Sequence, residues 1–303
     1  MTAYDQYVQW TQNSPPPGSQ WNWKPRVPQL SSGPQLSYSS PLWGNAEFFG
    51  WSNDEPFGFV ATQIGDPSTV YVAFRGTSSE VDAWDDSDII LTPYSLVSNF
   101  GNVHSGFYSL YATAPVSSGG QNPLNIFLLN LIESYYGLPG NPPRPLKIYL
   151  TGHSLGSALC TLAIPDIVYN ANVEVERLVM YNFASPRVGD VAFASSMNQK
   201  FPTKNLSPEL FRIVNTEDIV PAIPAADEYS YEHVGTPVSF TGLYPSLYYN
   251  HSMEYSYLYA IKNPMQPQGP QPCGAAQLAA SATGAPEVAR GRLYLPKDVF
   301  TSK

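Results

Sequence analysis

Cysteine is scarce in this chain, which has only Cys160 and Cys273 among its 303 residues. Cys160 lies in a segment with a helical, buried pattern, whereas Cys273 lies in a proline-rich stretch near the C-terminus. Because such different surroundings do not favour pairing, we expect two free thiols rather than a disulfide. The cysteines therefore leave the cellular compartment open.

Basic residues are also few, since 15 Lys and Arg against 24 Asp and Glu give a formal net charge of −9. An acidic surface disfavours nucleic acid and anionic lipid as partners, but it leaves neutral substrates open. No apolar run approaches the length of a transmembrane segment. The stretch Met1–Pro15 lacks the basic and apolar regions of a signal peptide. We therefore expect a cytoplasmic location by default, with a secreted mature form as the alternative.

Hydrophobic residues make up 43% of the chain, which is enough for one α/β domain with a large core. Internal repeats and a mid-chain linker are not evident, so a single domain is favoured over two. We predict a Pro- and Ser-rich N-terminal arm over residues 1–40, one domain over residues 41–262, and a Pro/Ala/Gly-rich C-terminal tail over residues 263–303.

Strand-like and helix-like patterns alternate through the middle of the chain, which predicts a mostly parallel sheet with helices on both faces. Functional side chains are then expected at the carboxyl ends of the strands. The first two strands are predicted to pair, and the second to be covered on both faces. The predicted strands are Phe57–Gln63, Thr69–Phe74, Leu146–Leu150, Arg177–Phe183 and Phe211–Val214. The predicted helices start at Pro123 with Asn122 as N-cap, follow Ser154, and cover Asp190–Lys200.

The segment Gly152–Gly156, with the sequence GHSLG, is the most informative in the chain. A short strand-like run precedes it, and leucines with helical spacing follow at Leu155, Leu159 and Leu162. This is the strand, tight turn and helix that a nucleophilic serine requires. The turn presents Ser154 Oγ and the first N–H groups of the helix to the same space. The motif also occurs by chance in loops, but its context here predicts Ser154 as a nucleophile.

A nucleophilic serine needs a base, and the base needs an orienting acid. In hydrolases with this kind of turn the chain order is Ser, then Asp or Glu, then His. Asp218 follows a predicted strand and is the preferred acid. The competing acids are Glu217 and Asp227, which are more typical of turn caps or solvated positions.

The four histidines differ in how well they fit the role of base. His153 is expected to point away from the serine's task, and His104 precedes Ser154 in the chain. His233 and His251 both follow Asp218. His251 is preferred because it is predicted to open a short helix from which the imidazole can reach the end of the sheet. His104 and His233 are then interpreted as structural, hydrogen-bonded side chains.

Several motifs together resemble those of class 3 lipases, and they occur in the same order. They are Phe74–Thr77, Val103–Phe107, Gly152–Gly156, Ser185–Gly189, Asn215–Pro221 and His251. These fungal-lipase-like α/β-hydrolases include feruloyl esterases and plant phospholipases. The resemblance extends from about Val60 to Ile261 and implies an α/β-hydrolase fold.

The resemblance also implies roles for individual residues. Ser154, Asp218 and His251 would form the catalytic triad. Thr77 and Leu155 would donate to the oxyanion. Arg75 is expected to be a structural anchor below the site rather than a substrate ligand.

A lid follows the oxyanion residue in this family, and here it would cover about Ser78–Leu91. Trp84, Ile89 and Ile90 are its candidate apolar contacts, with Trp84 at the position of a common lid tryptophan. Five acidic residues in this span make the predicted lid polar. Since an oil interface favours an apolar open lid, we do not expect strong interfacial activation.

The resemblance implies a carboxylic ester hydrolase that works through an acyl-enzyme. The first expectation is a triacylglycerol lipase, and the alternatives are a feruloyl-type esterase or a phospholipase A1. The expected partner is an ester or lipid substrate, including one at an oil–water interface. No cofactor is expected, because the few histidines and scattered acids lack metal-ligand spacing. A non-catalytic scaffold on the same fold is the alternative from a different class.

Overall fold

The structure is a computed structural model, which describes residues 34–39, 41–44, 55–76, 89–114, 122–137, 144–199, 201, 204–226 and 230–270. The strands in these ranges are β1 (Leu36–Tyr38), β2 (Leu42–Gly44), β3 (Glu55–Gln63), β4 (Asp66–Phe74), β5 (Leu91–Pro93), β6 (Asn102–His104), β7 (Leu146–His153), β8 (Val175–Phe183), β9 (Gly189–Asp190), β10 (Glu209–Asn215), β11 (Tyr231–Glu232) and β12 (Thr236–Phe240). The α-helices are α1 (Ser105–Ala112), α2 (Leu124–Tyr135), α3 (Leu155–Asn170), α4 (Val191–Asn198), α5 (Leu247–His251) and α6 (Leu258–Lys262). A 3₁₀ turn covers Val220–Ala222, and a π-turn covers Met253–Tyr257.

The central sheet has the strand order β1-β3-β4-β7-β8-β10-β12, with β2 also paired to β3. Its strands from β4 to β12 run parallel, whereas β1, β2 and β3 join antiparallel at one edge. A smaller antiparallel sheet has the order β11-β9-β6-β5. The predicted mostly parallel sheet is therefore confirmed, and its parallel strands direct the ends of β4, β7, β8 and β10 to one edge.

Helices lie on both faces of the sheet, as predicted. The larger core contains buried side chains of α1, α2, α3 and α4, of which α2 and α3 pack on strands of the central sheet. The smaller core lies on the other face, where Tyr257 and Ala260 pack against Ile213, Val238 and Phe240. The end of β10 and the π-turn meet in this smaller core. The core therefore brings together residues that are far apart in sequence.

The helix α3 starts directly after Ser154 and is 16 residues long. Its residues from Leu155 to Val168 are buried, including Cys160, whose thiol is free. A helix that is apolar all round belongs in a core. α3 therefore fixes the position of the turn that precedes it. Cys273 lies outside the described residues.

Three details differ from the predictions. In β4, Val70, Val72 and Phe74 are buried, but Tyr71 is only half-buried and its ring stacks on that of Tyr149. The cap of α2 is Pro123, one residue later than predicted, and it makes no side-chain cap bond. Part of the predicted arm, Leu36–Tyr38, pairs with β3.

Among the described helices, none is long and apolar enough to cross a membrane.

Candidate active site

The turn at Ser154 joins the end of β7 to the start of α3. Ser154 has φ 57° and ψ −128°, a strained conformation for a residue with a side chain. Its N–H donates to the carbonyl oxygen of Phe183 at 3.0 Å, and the side chain of Ser157 donates to Gly152 O and Phe183 O. These bonds attach the turn to the end of β8. The neighbouring backbone therefore stabilises the strained conformation of Ser154. Ser154 is 3% exposed.

The two glycines of the motif are required by backbone contacts. A Cβ on Gly152 would lie 2.2 Å from Gly156 O, and a Cβ on Gly156 would lie 2.5 Å from Phe74 O. All of these neighbours are main-chain atoms, which cannot move aside as a flexible side chain can. The glycines therefore let β4, β7 and α3 approach closely enough to build the turn.

We predict that Gly156→Ala lowers the free energy of unfolding by about 3 kcal/mol, the scale of overpacking a rigid backbone site. Urea unfolding followed by circular dichroism measures it. Gly65→Ala is the matched control, because Gly65 has φ +90° but a Cβ there meets nothing within 4 Å. It should cost only about 1–2 kcal/mol, the cost of a left-handed conformation. Equal losses in the two variants would contradict the steric argument.

The segment after β4 lies against the serine. A Cβ on Gly76 would approach His153 O to 2.9 Å and Ser154 Cβ to 3.1 Å, so the backbone just before Thr77 is packed on the turn. Thr77 itself lies outside the described residues, whereas Leu155 is fully buried as the first residue of α3. Arg75 Nε donates to Pro56 O at 2.6 Å and its guanidinium lies over the Phe57 ring, as expected for a structural anchor.

Asp218 follows the end of β10 and accepts three hydrogen bonds. Its Oδ2 accepts from His251 Nδ1 at 2.8 Å and from Tyr257 Oη at 2.7 Å. Its Oδ1 accepts from the backbone N–H of Val220 at 3.0 Å. Arg187 donates to the carbonyl oxygens of Ala222 and Pro224, which holds the loop after Asp218 in place.

The charge of Asp218 is stabilised by these donors. Burial by itself would raise the pKa of Asp218, but the bonds and charge of His251, with the bonds from Tyr257 and Val220, lower the pKa below its ordinary value. The carboxylate is therefore ionised and can only accept, which means that His251 Nδ1 donates to it. Of the competing acids, Glu217 accepts from the side chain of its neighbour Thr216 at 3.5 Å, and Asp227 lies outside the described residues.

His251 is the last residue of α5, not the first residue of a helix as predicted. The helix is capped by Ser246, whose Oγ accepts from Tyr249 N, and the π-turn starts two residues after His251. The side chain of Asn215, at the end of β10, donates to Asn250 O and to Gly242 O. This amide therefore connects the strand that precedes Asp218 to the helix that carries His251.

His153 contacts His251, so the expectation that it points away is wrong. Its Nε2 lies 2.8 Å from the carbonyl oxygen of His251, and the two rings are 4.6 Å apart. A carbonyl can only accept, so Nε2 donates. Burial, with the nearby charge of His251, lowers the pKa of His153 to about 3. The residue next to Ser154 thereby holds the backbone of His251, a role that its place in the motif does not reveal.

The other two histidines lie elsewhere. His104 accepts a bond from Gly106 N, which caps α1, and it stacks on Phe107 at 4.2 Å. His233 lies between β11 and β12, and its Nε2 donates to Pro221 O. Both are bound to protein groups, as expected of structural side chains. Within the described residues, the side-chain partners of Asp218 are His251 and Tyr257, and neither His104 nor His233 is among them.

The predicted lid is described only at its end. Trp84 and most of the segment lie outside the described residues. Ile89 is half-buried, and Ile90 is 56% exposed while its carbonyl oxygen accepts from Ser105 N at 2.8 Å. The backbone at Ile90 is therefore attached to the start of α1, and its side chain is left facing outward.

Known proteins resemble this chain in sequence and in fold. Phospholipase A1-II 1 of Oryza sativa is 34% identical over 221 residues, which cover 68% of this chain and 52% of that protein. A lipase of Rhizomucor miehei is 32% identical over 170 residues, which cover 55% of this chain and 40% of that protein. The chain thus spans about half the length, or less, of these curated relatives. The solved structure of a mutant form of MDLA from Penicillium cyclopium is 21% identical, with a TM-score of 0.53 over 80% of this chain and 82% of that chain.

The family described as lipase (class 3) matches residues 71–228, which is half of the chain and includes the serine turn and Asp218. The parallel sheet, the turn between β7 and α3, and the likeness to a solved structure confirm the predicted α/β-hydrolase fold. The chain belongs to the class 3 lipase family.

Proposed function

We propose that this chain is a serine ester hydrolase in which Ser154, His251 and Asp218 act as the catalytic triad. The observation that carries the proposal is the bond from His251 to Asp218 beside a strained serine turn. Because Nδ1 donates to Asp218, the other ring nitrogen, Nε2, is the atom that would accept the proton of Ser154 Oγ. His153 supports this arrangement by holding the backbone of His251 next to the turn.

The reaction follows from these roles. His251 takes the proton from Ser154, and the alkoxide attacks the ester carbonyl to form a tetrahedral intermediate. The backbone N–H of Leu155, at the start of α3 where N–H groups have no partner within the helix, would donate to the oxyanion, and Thr77 would be the second donor. His251 then protonates the leaving alcohol, and water repeats the sequence to release the acid. The residues need no cofactor for these steps.

Lipid esters are the proposed substrates. Exposed apolar side chains accompany the triad, with Ile219 directly after Asp218 and Leu247 in the same helix as His251, the latter 53% exposed. These side chains would contact the acyl chain of a lipid ester bound at Ser154. Triacylglycerol is the first candidate, in line with the lipase of Rhizomucor miehei.

A second candidate is a phospholipase A1. Several matching relatives from Oryza sativa carry this name, at 30–39% identity. The net charge of −9 favours zwitterionic over anionic phospholipid. A feruloyl-type esterase remains the soluble alternative, because it would use the same triad.

We expect Ser154-dependent hydrolysis of triolein emulsion or of phosphatidylcholine vesicles, and slow turnover of methyl ferulate. Released fatty acid is titrated, and lysophospholipid from phosphatidylcholine with distinct sn-1 and sn-2 chains gives the position of cleavage. Release from sn-1 identifies a phospholipase A1, and turnover of triolein alone identifies a triacylglycerol lipase. Fluorophosphonate labelling at Ser154 is the test against a scaffold. A folded protein that neither labels nor hydrolyses any of the three esters would overturn the proposal.

A further inference from the structure

Tyr257 joins the candidate acid to the smaller core. The side chain is fully buried, and its Oη donates to Asp218 Oδ2 at 2.7 Å. Tyr257 Oη also accepts from the backbone N–H of Asn215 at 3.2 Å. Because that N–H can only donate, the hydroxyl hydrogen is left to the carboxylate. Burial, with the charge of Asp218, raises the pKa of Tyr257 well above its ordinary value, so the hydroxyl remains a donor.

The π-turn sets the direction of this side chain. Tyr257 N donates to Ser252 O at 3.3 Å, and Leu258 N donates to Met253 O. Both bonds span five residues, so the turn holds one residue more than an α-helical turn. One residue corresponds to about 100° of rotation in an α-helix. Without the extra residue, Tyr257 would face a different direction from the one that reaches Asp218.

The aromatic ring of Tyr257 is also held by its neighbours. It meets the Phe240 ring edge-on at 5.3 Å and the His153 ring edge-on at 5.8 Å. Tyr257 therefore contacts both Asp218 and His153, and each of these bonds to a different part of His251. The carboxylate cannot rotate about its own bond without losing the Tyr257 or the Val220 donor.

We propose that Tyr257 is a positioning residue, which holds the Asp218 carboxylate in the orientation that aligns the His251 imidazole and withdraws negative charge from Oδ2. This inference rests on the proposed function, since it acts through the proposed acid and base. π-turns are often found at functional sites, and here the extra residue has a defined use.

Loss of the hydroxyl should change both the rate and its pH dependence. The titratable groups that face Asp218 are His251 from α5, Tyr257 from the π-turn and His153 from β7. Without the hydroxyl, Oδ2 keeps more negative charge opposite the imidazole, so the protonated base is stabilised. The acid limb of the kcat/KM profile should then move to higher pH, and kcat should fall about tenfold, the worth of one bond to a charged group.

The test is Tyr257→Phe, measured on phosphatidylcholine or triolein, whichever the wild type hydrolyses. Rates are divided by the fraction of protein labelled by fluorophosphonate, so that loss of folded protein does not count as loss of kcat. Tyr111→Phe is the matched control, because Tyr111 is fully buried and donates to another buried carboxylate, Asp166, at 3.0 Å. It should lower the Tm comparably while kcat and the pH profile stay as in the wild type.

A fall of about tenfold in kcat with KM within about twofold, and a shifted acid limb, supports the proposal. A Tyr257→Phe variant with wild-type kcat and pH profile overturns it, as does an equal shift in Tyr111→Phe. If Tyr257→Phe does not fold, the downfield proton resonance of His251 Nδ1 in Tyr257→Leu, which does not overpack the buried site, decides, since an unchanged signal overturns the inference. Retained activity in Ser154→Ala would instead indicate that the proposed function has failed.

Discussion

Ser154→Ala is expected to lower kcat/KM for ester hydrolysis by about 10⁵- to 10⁶-fold, the scale on which serine hydrolases depend on the nucleophile. The fold should persist, because the backbone bonds of the turn come from the Ser154 N–H and from Ser157, not from Ser154 Oγ. The measurement is the initial rate on the preferred lipid ester, together with circular dichroism. Turnover near the wild-type rate in the folded variant would rule out Ser154 as the nucleophile.

Neighbouring residues provide the controls for this prediction. Ser157→Ala removes a buried hydroxyl that bonds to Gly152 O in the same turn, so it should lower the Tm but keep most of the activity. His251→Ala should abolish activity as Ser154→Ala does, because no other described histidine bonds to Asp218. His233→Ala should mainly affect stability, since its ring bonds to Pro221 O. If His233→Ala abolished turnover and His251→Ala did not, His233 would be the base.

The second large effect is a loss of stability in mild acid. Burial is the first cause that lowers the pKa of three histidines from the ordinary value of 6.5: to about 4 for His104 and to about 3 for His153 and His233. As the pH falls below 6.5, these three histidines take up protons in the unfolded chain. In the folded chain they do not take them up until about pH 3–4. Stability must fall as the pH decreases through this window.

Between pH 6.5 and pH 5 the three histidines together should remove up to about 5 kcal/mol of unfolding free energy. Asp218 adds to the loss only at lower pH. Its pKa is lower in the folded than in the unfolded chain, so its contribution to stability is complete above the unfolded pKa. The contribution is lost as the pH falls and the folded carboxylate becomes protonated. Urea midpoints at pH 7, 6 and 5 measure the slope. In His104→Gln the slope should decrease by about one third, whatever its absolute stability. A flat profile down to pH 5 would contradict the buried, neutral state of these histidines.

Much of the fold could be predicted because its signals are local. The apolar runs at β4, β7, β8 and β10 alternate with helical spacings, and this order is enough to indicate a parallel sheet. The details that failed depend on neighbours in space. Whether Tyr71 is covered depends on what lies over β4, and the stacking partner Tyr149 is on another strand.

The sequence by itself determined the serine turn and the class of fold. Gly152, Ser154 and Gly156 stand within five residues, and the strained turn they build follows from backbone geometry that a local motif encodes. The order of Asp218 before two later histidines could also be read directly from the sequence. Neither spacing nor composition could show which histidine meets the carboxylate.

Only the tertiary structure decided that point, because hydrogen-bond partners depend on which chain segments meet at the edge of the sheet. There His251 Nδ1 meets Asp218 Oδ2, while His233 is held by Pro221. The contacts of His153 and Tyr257 were hidden for the same reason. A one-residue extension in the π-turn leaves no mark in hydrophobic periodicity, yet it determines which side chain reaches the buried acid.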